Sequence, residues 1–430
     1  MSTSTSTIDV LIIGSGGREH ALAWKLAQSP RLGKLYVAPG NAGTAAIAEN
    51  VPIPVTDIAA LRDFAAGKGI GLTVVGPDDV LAAGLVDVFE AAGLVAFGPR
   101  QAAARLESSK SFGKDFMERH GIPTARAVIV ETPAAAEAEL PKMQYPLAVK
   151  ADGLALGKGV IIAQSLEEAR AATLEMLAGK FGEAGRRVLL EEYLSGEECS
   201  LHALVDGKDY LLFPAAQDHK RIFDNDLGPN TGGMGTYSPI PRWTPELEAD
   251  VRVRLMEPFM RGLAADGLDF RGMLFPGLVL TAEGFKLFEF NCRFGDPETQ
   301  VLLPRLEGDL LELLLAAAEG RLGEVKEAAG WSRESTVCVV MASGGYPEAY
   351  EKGLPISGLE AAAEAGAVVF HAGTKPGPEG AVLTNGGRVL GVTAFGEDLA
   401  AARDHAYAAT AKITFKNAYQ RTDIAVKGLR

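Results

Sequence analysis

The chain has 430 residues, too many for a single hydrophobic core and suited to two to four domains. Apolar residues make up 47% and charged residues 23%, the balance of a globular protein, and no apolar run reaches the roughly 20 residues that span a bilayer. A formal net charge of −13 excludes the basic surface that a nucleic-acid backbone requires, so neither nucleic acid nor membrane is expected as a partner. Cys199, Cys292 and Cys338 lack C-x-x-C spacing, which argues against disulfides and structural zinc and for a reducing cytoplasmic setting.

Ser2–Thr7 reads as a short disordered leader without the basic and apolar regions of a signal peptide. Residues 8–100 alternate strands and helices: strands at Ile8–Ile13, Lys34–Ala38, Leu72–Val75 and Val95–Phe97, and a helix from about Arg18 to Gln28. This is a parallel α/β layer, and its turns at Gly14–Gly17, Pro39–Thr44 and Gly76–Asp78 fall at strand carboxyl ends, where such layers bind ligands. A helix is predicted over Lys110–Gly121. Residues 126–195 form a compact α+β unit with strands near 126–130, 146–150, 159–163 and 187–192 and helices near 133–140 and 166–178. Beyond it lie a long irregular segment, 214–242, and helices near 245–266 and 307–319. Residues 327–430 read as an appended α/β unit, with a strand at Thr336–Met341, an Asn385-Gly386-Gly387 turn between strands, and a helix near 398–411.

The most informative string is Glu289-Phe290-Asn291-Cys292-Arg293-Phe294-Gly295-Asp296-Pro297-Glu298, which ends a strand begun at Phe285. Two residues apart on a strand, Glu289 and Asn291 share a face, and a carboxylate beside an amide oxygen suits Mg²⁺. Arg293 adds a cation, as phosphoryl transfer demands. Cys292 has no histidine close in sequence and reads as a packed small residue. The segment Lys150–Gly159 joins two strands, and its glycines can bring backbone N–H groups to an anion, although it lacks the Walker A pattern. Glu191–Glu198 follows a strand and is either an adenine-binding hinge or a solvated acidic turn. In the irregular region, Asp218-His219-Lys220-Arg221 and Gly228–Gly235 supply donors and charge, and His219 is as readily structural as catalytic. Gly14-Ser15-Gly16-Gly17-Arg18-Glu19 opens a helix, but Glu19 stands where a dinucleotide site needs glycine. The helix N-terminus therefore suits a small sugar phosphate better than NAD.

In this order the strings resemble the ATP-grasp ligases and, within them, the phosphoribosylamine–glycine ligase family of purine biosynthesis (glycinamide ribonucleotide synthetases). The resemblance spans almost the whole chain, from Gly14–His20 to the C-terminal unit. It rests most on Asp218–Arg221, Gly228–Gly235 and Glu289–Glu298. It implies a multidomain α/β and α+β protein in three parts. These are an N-terminal parallel-sheet domain at 1–104, a two-lobed ATP-grasp core at 105–326 with a mobile lid lobe at about 123–195, and a C-terminal α/β cap at 327–430. The family reaction joins glycine to 5-phosphoribosylamine through glycyl phosphate, with ATP as co-substrate and Mg²⁺ or Mn²⁺ as cofactor. It implies small-molecule partners only, for a monomer or weak dimer. Carried onto this chain, Lys110 and Lys150 hold ATP phosphates, with Gly157, Lys158 and Gly159 in the loop over them. Glu191, Tyr193 and Leu194 line the adenine site and Glu198 takes the ribose; Glu289 and Asn291 bind the metal, and Arg293 with Lys150 is catalytic. Gly16, Gly17, Arg18, Glu19, Asn41, Thr44 and Asp78 bind phosphoribosylamine. Asp218, Lys220, Asn230, Thr231, Asp296 and Glu298 complete the acceptor and glycine sites. Phe223, Leu227, the pair Asp78-Asp79 and Pro276 depart from the family pattern without removing a proposed ligand. Another ATP-grasp enzyme, such as a carboxylase, a non-catalytic nucleotide-binding module and an NAD-dependent oxidoreductase are the competing readings.

Overall fold

The computed structural model describes residues 7–154 and 159–430, so Ser2–Ser6 of the N-terminal tail and Gly157 and Lys158 of the glycine-rich loop lie outside the described residues. Strands β1 (Ile8–Gly14), β2 (Leu32–Pro39), β3 (Glu49–Asn50), β4 (Leu72–Val75) and β5 (Ala96–Phe97) form a parallel sheet in the order β3-β2-β1-β4-β5. Val10–Ile13 of β1 are fully buried because both sheet faces are covered. Val10 and Ile12 pack with Leu22 and Leu26 of helix α1 (Gly17–Leu26), and Leu11 and Ile13 pack with Leu61, Ala65 and Phe89 on the other side. The strand order reverses between β1 and β4, which opens a crevice at Gly14–Gly17 and Gly76.

Two helices, Gln101–Ser108 and Lys110–Arg119, lead into an antiparallel sheet ordered Ala127–Val130, Val188–Glu192, Leu147–Ala151, Val160–Ala163. Alternation decides what this sheet offers on each side. Leu147, Val149, Ala151, Val188 and Leu190 enter its core, while Lys150, Leu189 and Glu191 line a cleft on the opposite face. A second sheet forms the other wall. Its centre is the hairpin of Arg271–Thr281 and Gly284–Asn291, flanked by Glu197–Ser200, Ala203–Asp206 and Tyr210–Leu212. Pro276 sits inside this sheet where the neighbouring strand changes. Gly277 pairs with Ser200 and Leu274 with Ala203, so the proline falls in the gap and forfeits no ladder bond there.

The strand Gly284–Asn291 carries an irregularity that the sequence pattern hides. Phe285 and Leu287 enter the core, and strict alternation would send Glu289 after them. Gly277 pairs with Glu289 and Leu278 with Leu287, which leaves Phe288 as an extra, bulged residue. Past the bulge Phe290 takes the core position, and Glu289 is turned to the cleft. Gly277 makes the bulge possible, since a Cβ there would lie 2.5 Å from the Phe288 ring.

The C-terminal sheet is ordered Gln217–Asp218, Gly235–Ser238, Ser335–Ser343, Arg388–Gly396, Val368–His371, and helix Leu399–Thr410 packs on it. The segment expected to be irregular, 214–242, therefore contains four short strands: Gln217–Asp218, Arg221–Phe223, Leu227–Asn230 and Gly235–Ser238. They run two to four residues, and Gly235–Ser238 is fixed by the distant strand Ser335–Ser343, so no local periodicity announces them. The Asn385-Gly386-Gly387 turn lies between strands as expected but is not a hairpin, because Val382–Thr384 and Arg388–Gly396 belong to different sheets. Helix Leu310–Glu319 shares a core with β1, α1 and Met273, which ties the parallel sheet to the central one. No helix among the described residues is long and apolar enough to cross a membrane.

Gly277→Val is expected to displace Phe288 and cost about 1–3 kcal/mol through overpacking. Denaturant unfolding checks this; a variant of unchanged stability would show that the bulge does not depend on Gly277.

Candidate active site

The cleft between the two antiparallel sheets gathers lysines and carboxylates from five segments. Lys110 begins its helix behind Ser109, whose hydroxyl caps the Phe112 N–H, and its Nζ lies 3.4 Å from Glu289 Oε2. Burial works against the Lys110 ammonium, but Glu289 and Glu107 beside it outweigh that and raise its pKa. For Glu289, burial pushes upward, and Lys110, Lys150 and Lys220 hold it below the usual carboxylate value, so it is an anion. Its side chain is 31% exposed although protein crowds it closely, as befits a group on the floor of an open cleft. Lys150 is paired with Glu191 and also donates to the Phe288 carbonyl, 3.2 Å away, which the bulge turns toward it.

Asn291, two residues past Glu289, accepts from Arg293 Nη2 at 3.2 Å and donates to the Phe275 carbonyl at 3.2 Å. Arg293 is further held by Glu107 at 3.2 Å and the Phe294 carbonyl at 3.3 Å. The other Glu107 oxygen accepts the Cys292 N–H at 2.6 Å. Glu107 was invisible in the sequence, where it belongs to none of the motif strings. Cys199, Cys292 and Cys338 are free and buried, and burial lifts the Cys292 thiol well above its ordinary pKa. No activated nucleophile is present among them.

Beside this cleft lies a second polar cluster. Asp218 pairs with Lys220 at 2.6 Å, Lys220 lies 3.7 Å from Glu298, and Ser200 donates to Glu298 at 2.8 Å. Glu298 Oε2 is buried without a hydrogen-bond partner, so this cluster has unfilled acceptor capacity. His202, stacked on Phe275 at 4.3 Å, accepts the Gly295 N–H at 3.2 Å. Thr231 spends its hydroxyl on the Lys220 carbonyl and the Gly233 N–H, while Asn230 is exposed. Arg388, which carried no signal in the sequence, binds the Gly232 carbonyl at 2.6 Å, the Asp296 carbonyl at 2.8 Å and the Asp296 carboxylate at 3.3 Å.

At the parallel sheet, Glu19 folds back over Gly14, Gly16 and Gly76, and a Cβ on any of the three would lie within 2.8 Å of it. Its carboxylate takes the Gly16 N–H at 2.6 Å and the Arg18 guanidinium at 2.5 Å. This carboxylate fills the turn where a dinucleotide pyrophosphate would lie, and the Arg18 N–H at the helix end is turned to the Asp296 carboxylate. The Asp296 carboxylate faces the same turn, 3.3 Å from where a Gly16 Cβ would be, and so joins the second cluster to the crevice. Asn41 spends its amide on the Ser15 and His371 carbonyls and the N–H groups of Gly43 and Thr44, and Thr44 bonds Asn50. Both side chains shape the crevice wall from inside the protein. Asp78 stands half-buried at the start of a short helix and contributes charge near Glu107 and Arg293.

At the hinge, Tyr193 is 45% exposed and Leu194 half-buried, while Glu198 is open to solvent. Glu191 is expected from the sequence to line the adenine site. Its side chain lies on the cleft face, 2% exposed, and is occupied by the Lys150 and Lys114 ammonium groups. Gly159 is within reach of the lysine strand, its carbonyl accepting the Ala151 N–H at 2.8 Å.

An ammonium-lined cleft between two antiparallel sheets, with Glu289 and Asn291 on one wall and Lys150 on the other, defines an ATP-grasp ligase. Family models of phosphoribosylglycinamide synthetase match residues 8–107 (N domain), 108–299 (ATP-grasp domain) and 336–427 (C domain). The chain is 53% identical to the phosphoribosylamine–glycine ligase of Allochromatium vinosum over 98% of both chains, and 50% identical to that of Escherichia coli, again over 98% of each. A crystal structure of phosphoribosylamine–glycine ligase from Thermotoga maritima, 34% identical, superposes with a TM-score of 0.83, covering 97% of this chain and 100% of that one. The biotin carboxylase domain of Hydrogenobacter thermophilus 2-oxoglutarate carboxylase, 17% identical with a TM-score of 0.71 (96% of this chain, 92% of that one), shares the fold alone. The chain belongs to the phosphoribosylglycinamide synthetase family.

Four buried histidines make the folded protein acid-sensitive. Burial lowers His20 to about 3, and His202, His219 and His371 to about 4. Above about pH 6.5 they are neutral whether folded or not and contribute no pH dependence. Below it the unfolded chain takes up protons that the folded chain refuses, so stability falls with pH. Asp218, raised to about 6, and Glu107, also raised, both by burial, bind their protons first in the folded state and offset part of this loss. The denaturation midpoint is expected to drop steadily from pH 7 to pH 5; a flat profile would contradict the neutral burial of these rings.

Proposed function

We propose that this protein joins glycine to 5-phosphoribosylamine in purine biosynthesis, using ATP and passing through glycyl phosphate to give glycinamide ribonucleotide, ADP and phosphate. The observation that carries the reading is the constellation Lys110, Lys150, Glu289, Asn291 and Arg293 gathered around one cleft, in a chain matched over 98% of its length by relatives of that activity. ATP would lie between the two sheets. Lys110 and Lys150 would bind its phosphates, Tyr193 and Leu194 with the adjoining backbone would flank adenine, and Glu198 would meet the ribose. The loop containing Gly157, Lys158 and Gly159 would cover the phosphates, and the lid lobe at about 123–195 would move with it.

The residues present fit a divalent cation of the Mg²⁺ or Mn²⁺ type. Glu289 is kept anionic by its lysines, and the Asn291 amide nitrogen is committed to Phe275, so its oxygen faces Arg293. No group of three or more His, Cys, Asp or Glu suited to a metal occurs among the described residues. Two hard oxygens are what a cation completed by phosphate and water needs. When bound, the cation would neutralise phosphate oxygens and polarise the phosphorus centre.

In the first step a glycine carboxylate oxygen attacks the γ-phosphorus and the bond to ADP breaks. In the second, the amine nitrogen attacks the acyl carbon, phosphate leaves, and a proton is lost from nitrogen. Neither step requires an enzyme nucleophile, which agrees with the high thiol pKa of Cys292. Arg293, clamped by Glu107 and Asn291, would stabilise charge on the transferring phosphoryl and on the acyl phosphate. Asp218, Lys220 and Glu298, with Asn230 and Thr231 at the rim, would form the glycine side. Gly16, Gly17, Arg18, Glu19 and Asp296, on the frame set by Asn41, Thr44 and Asp78, would form the amine side.

Phosphate release should require ATP, glycine and phosphoribosylamine together; release without glycine, or dependent on bicarbonate, would refute the assignment. Arg293→Ala should slow turnover on the order of 10²-fold while ATP still binds, as steady-state rates beside nucleotide titration will show. Chelation of divalent cations should abolish turnover, and Glu289→Ala should do the same in the presence of excess Mg²⁺.

A further inference from the structure

One buried cation near the cleft has no role in the account above. Lys114 is one turn beyond Lys110 on the same helix face, and its side chain is 4% exposed. Its Nζ lies 2.6 Å from the Thr124 hydroxyl, 2.9 Å from the Ala125 carbonyl and 2.9 Å from Glu191 Oε2. The approach to Glu191 is off hydrogen-bond alignment, so that contact is held by charge. The second oxygen of Glu191 binds Lys150. Thr124 in turn donates to the Leu287 carbonyl at 2.7 Å, and Leu287 N donates to the Pro123 carbonyl at 2.8 Å. The chain that enters the first sheet is thus fastened to the residue before the Phe288 bulge, and the same fastening point receives Lys114.

We propose that Lys114 is a positioning residue for ATP, acting through Glu191 to hold the Lys150 ammonium at the phosphate site. Glu191 is buried and has two oxygens; with Lys114 on one, the other is aimed at Lys150. Without Lys114 the carboxylate keeps a single partner and can swing with it, and the unpaired oxygen stays buried, which is costly. Two ammoniums on one carboxylate also leave a net positive charge beside the ATP phosphates. Thr124 and Ala125 tether Lys114 to the entry strand of the sheet that carries Lys150, so the ammonium position is set relative to both walls of the cleft.

The inference rests on the assignment of Lys150 to the ATP phosphates, and the test separates the two. Lys114→Met is expected to lower kcat/KM for ATP by about tenfold or more and leave KM for glycine within about twofold, with Lys114→Arg recovering most of the loss. Because Lys114 acts through Glu191, the double variant Lys114→Met with Glu191→Gln should be no worse than Glu191→Gln alone. Additive losses, or unchanged ATP kinetics in Lys114→Met while Lys150→Met is impaired, overturn the inference. Unchanged ATP kinetics in Lys150→Met overturn the site assignment itself. If Lys114→Met does not fold, Lys114→Gln, which keeps donors for Thr124 and Ala125 but not the charge, runs the same cycle with the same expected loss.

Discussion

Among the described residues, the cations lining the cleft are each held by a buried or half-buried carboxylate: Lys110 by Glu289, Lys150 and Lys114 together by Glu191, and Arg293 by Glu107. An isolated ammonium or guanidinium at that depth would be prohibitively costly, and a paired one is tolerated only when both partners are fixed. The rest of the architecture supplies the fixing. Glu289 and Glu191 stand on strands of opposing sheets, Glu107 ends one helix, and Lys110 and Lys114 share the next. In a chain of net charge −13, a triphosphate can be received only where such local charge has been assembled.

The bulge at Phe288 shows how finely the assembly depends on backbone register. Alternation alone would bury Glu289 with Phe285 and Leu287, and one extra residue reverses the face from that point on. The same bulge turns the Phe288 carbonyl toward Lys150. A single insertion therefore sets the acid on one wall and steadies the base on the other.

Much of this was legible in the residues. Apolar runs such as Ile8–Ile13 and Leu72–Val75 were strands because both faces of a parallel layer are buried, and the helices at 110 and 166 announced themselves by their pattern. The family resemblance assigned Lys110, Lys150, Glu289, Asn291 and Arg293 to phosphate and metal binding, and the structure brings these five residues around one cleft. What stayed hidden depended on contacts distant in sequence. Glu107 meets Arg293 across 186 positions, and Arg388 meets Asp296 across 92. The strand Gly235–Ser238 exists through Ser335–Ser343. The side chain of Glu191 could not be aimed from sequence, because its direction follows from two lysines on other elements. Lys114 was within reach, since it is four residues from Lys110 on one helix.

The C-terminal sheet takes its central strand, Ser335–Ser343, and its neighbour Arg388–Gly396 from the last quarter of the chain, yet encloses Gly235–Ser238 and Gln217–Asp218 from the middle. Arg388 then clasps Gly232 and Asp296. The second polar cluster is therefore completed by strands and an arginine from the last quarter of the chain, whereas the lysines and carboxylates of the nucleotide cleft all come from residues before Phe294.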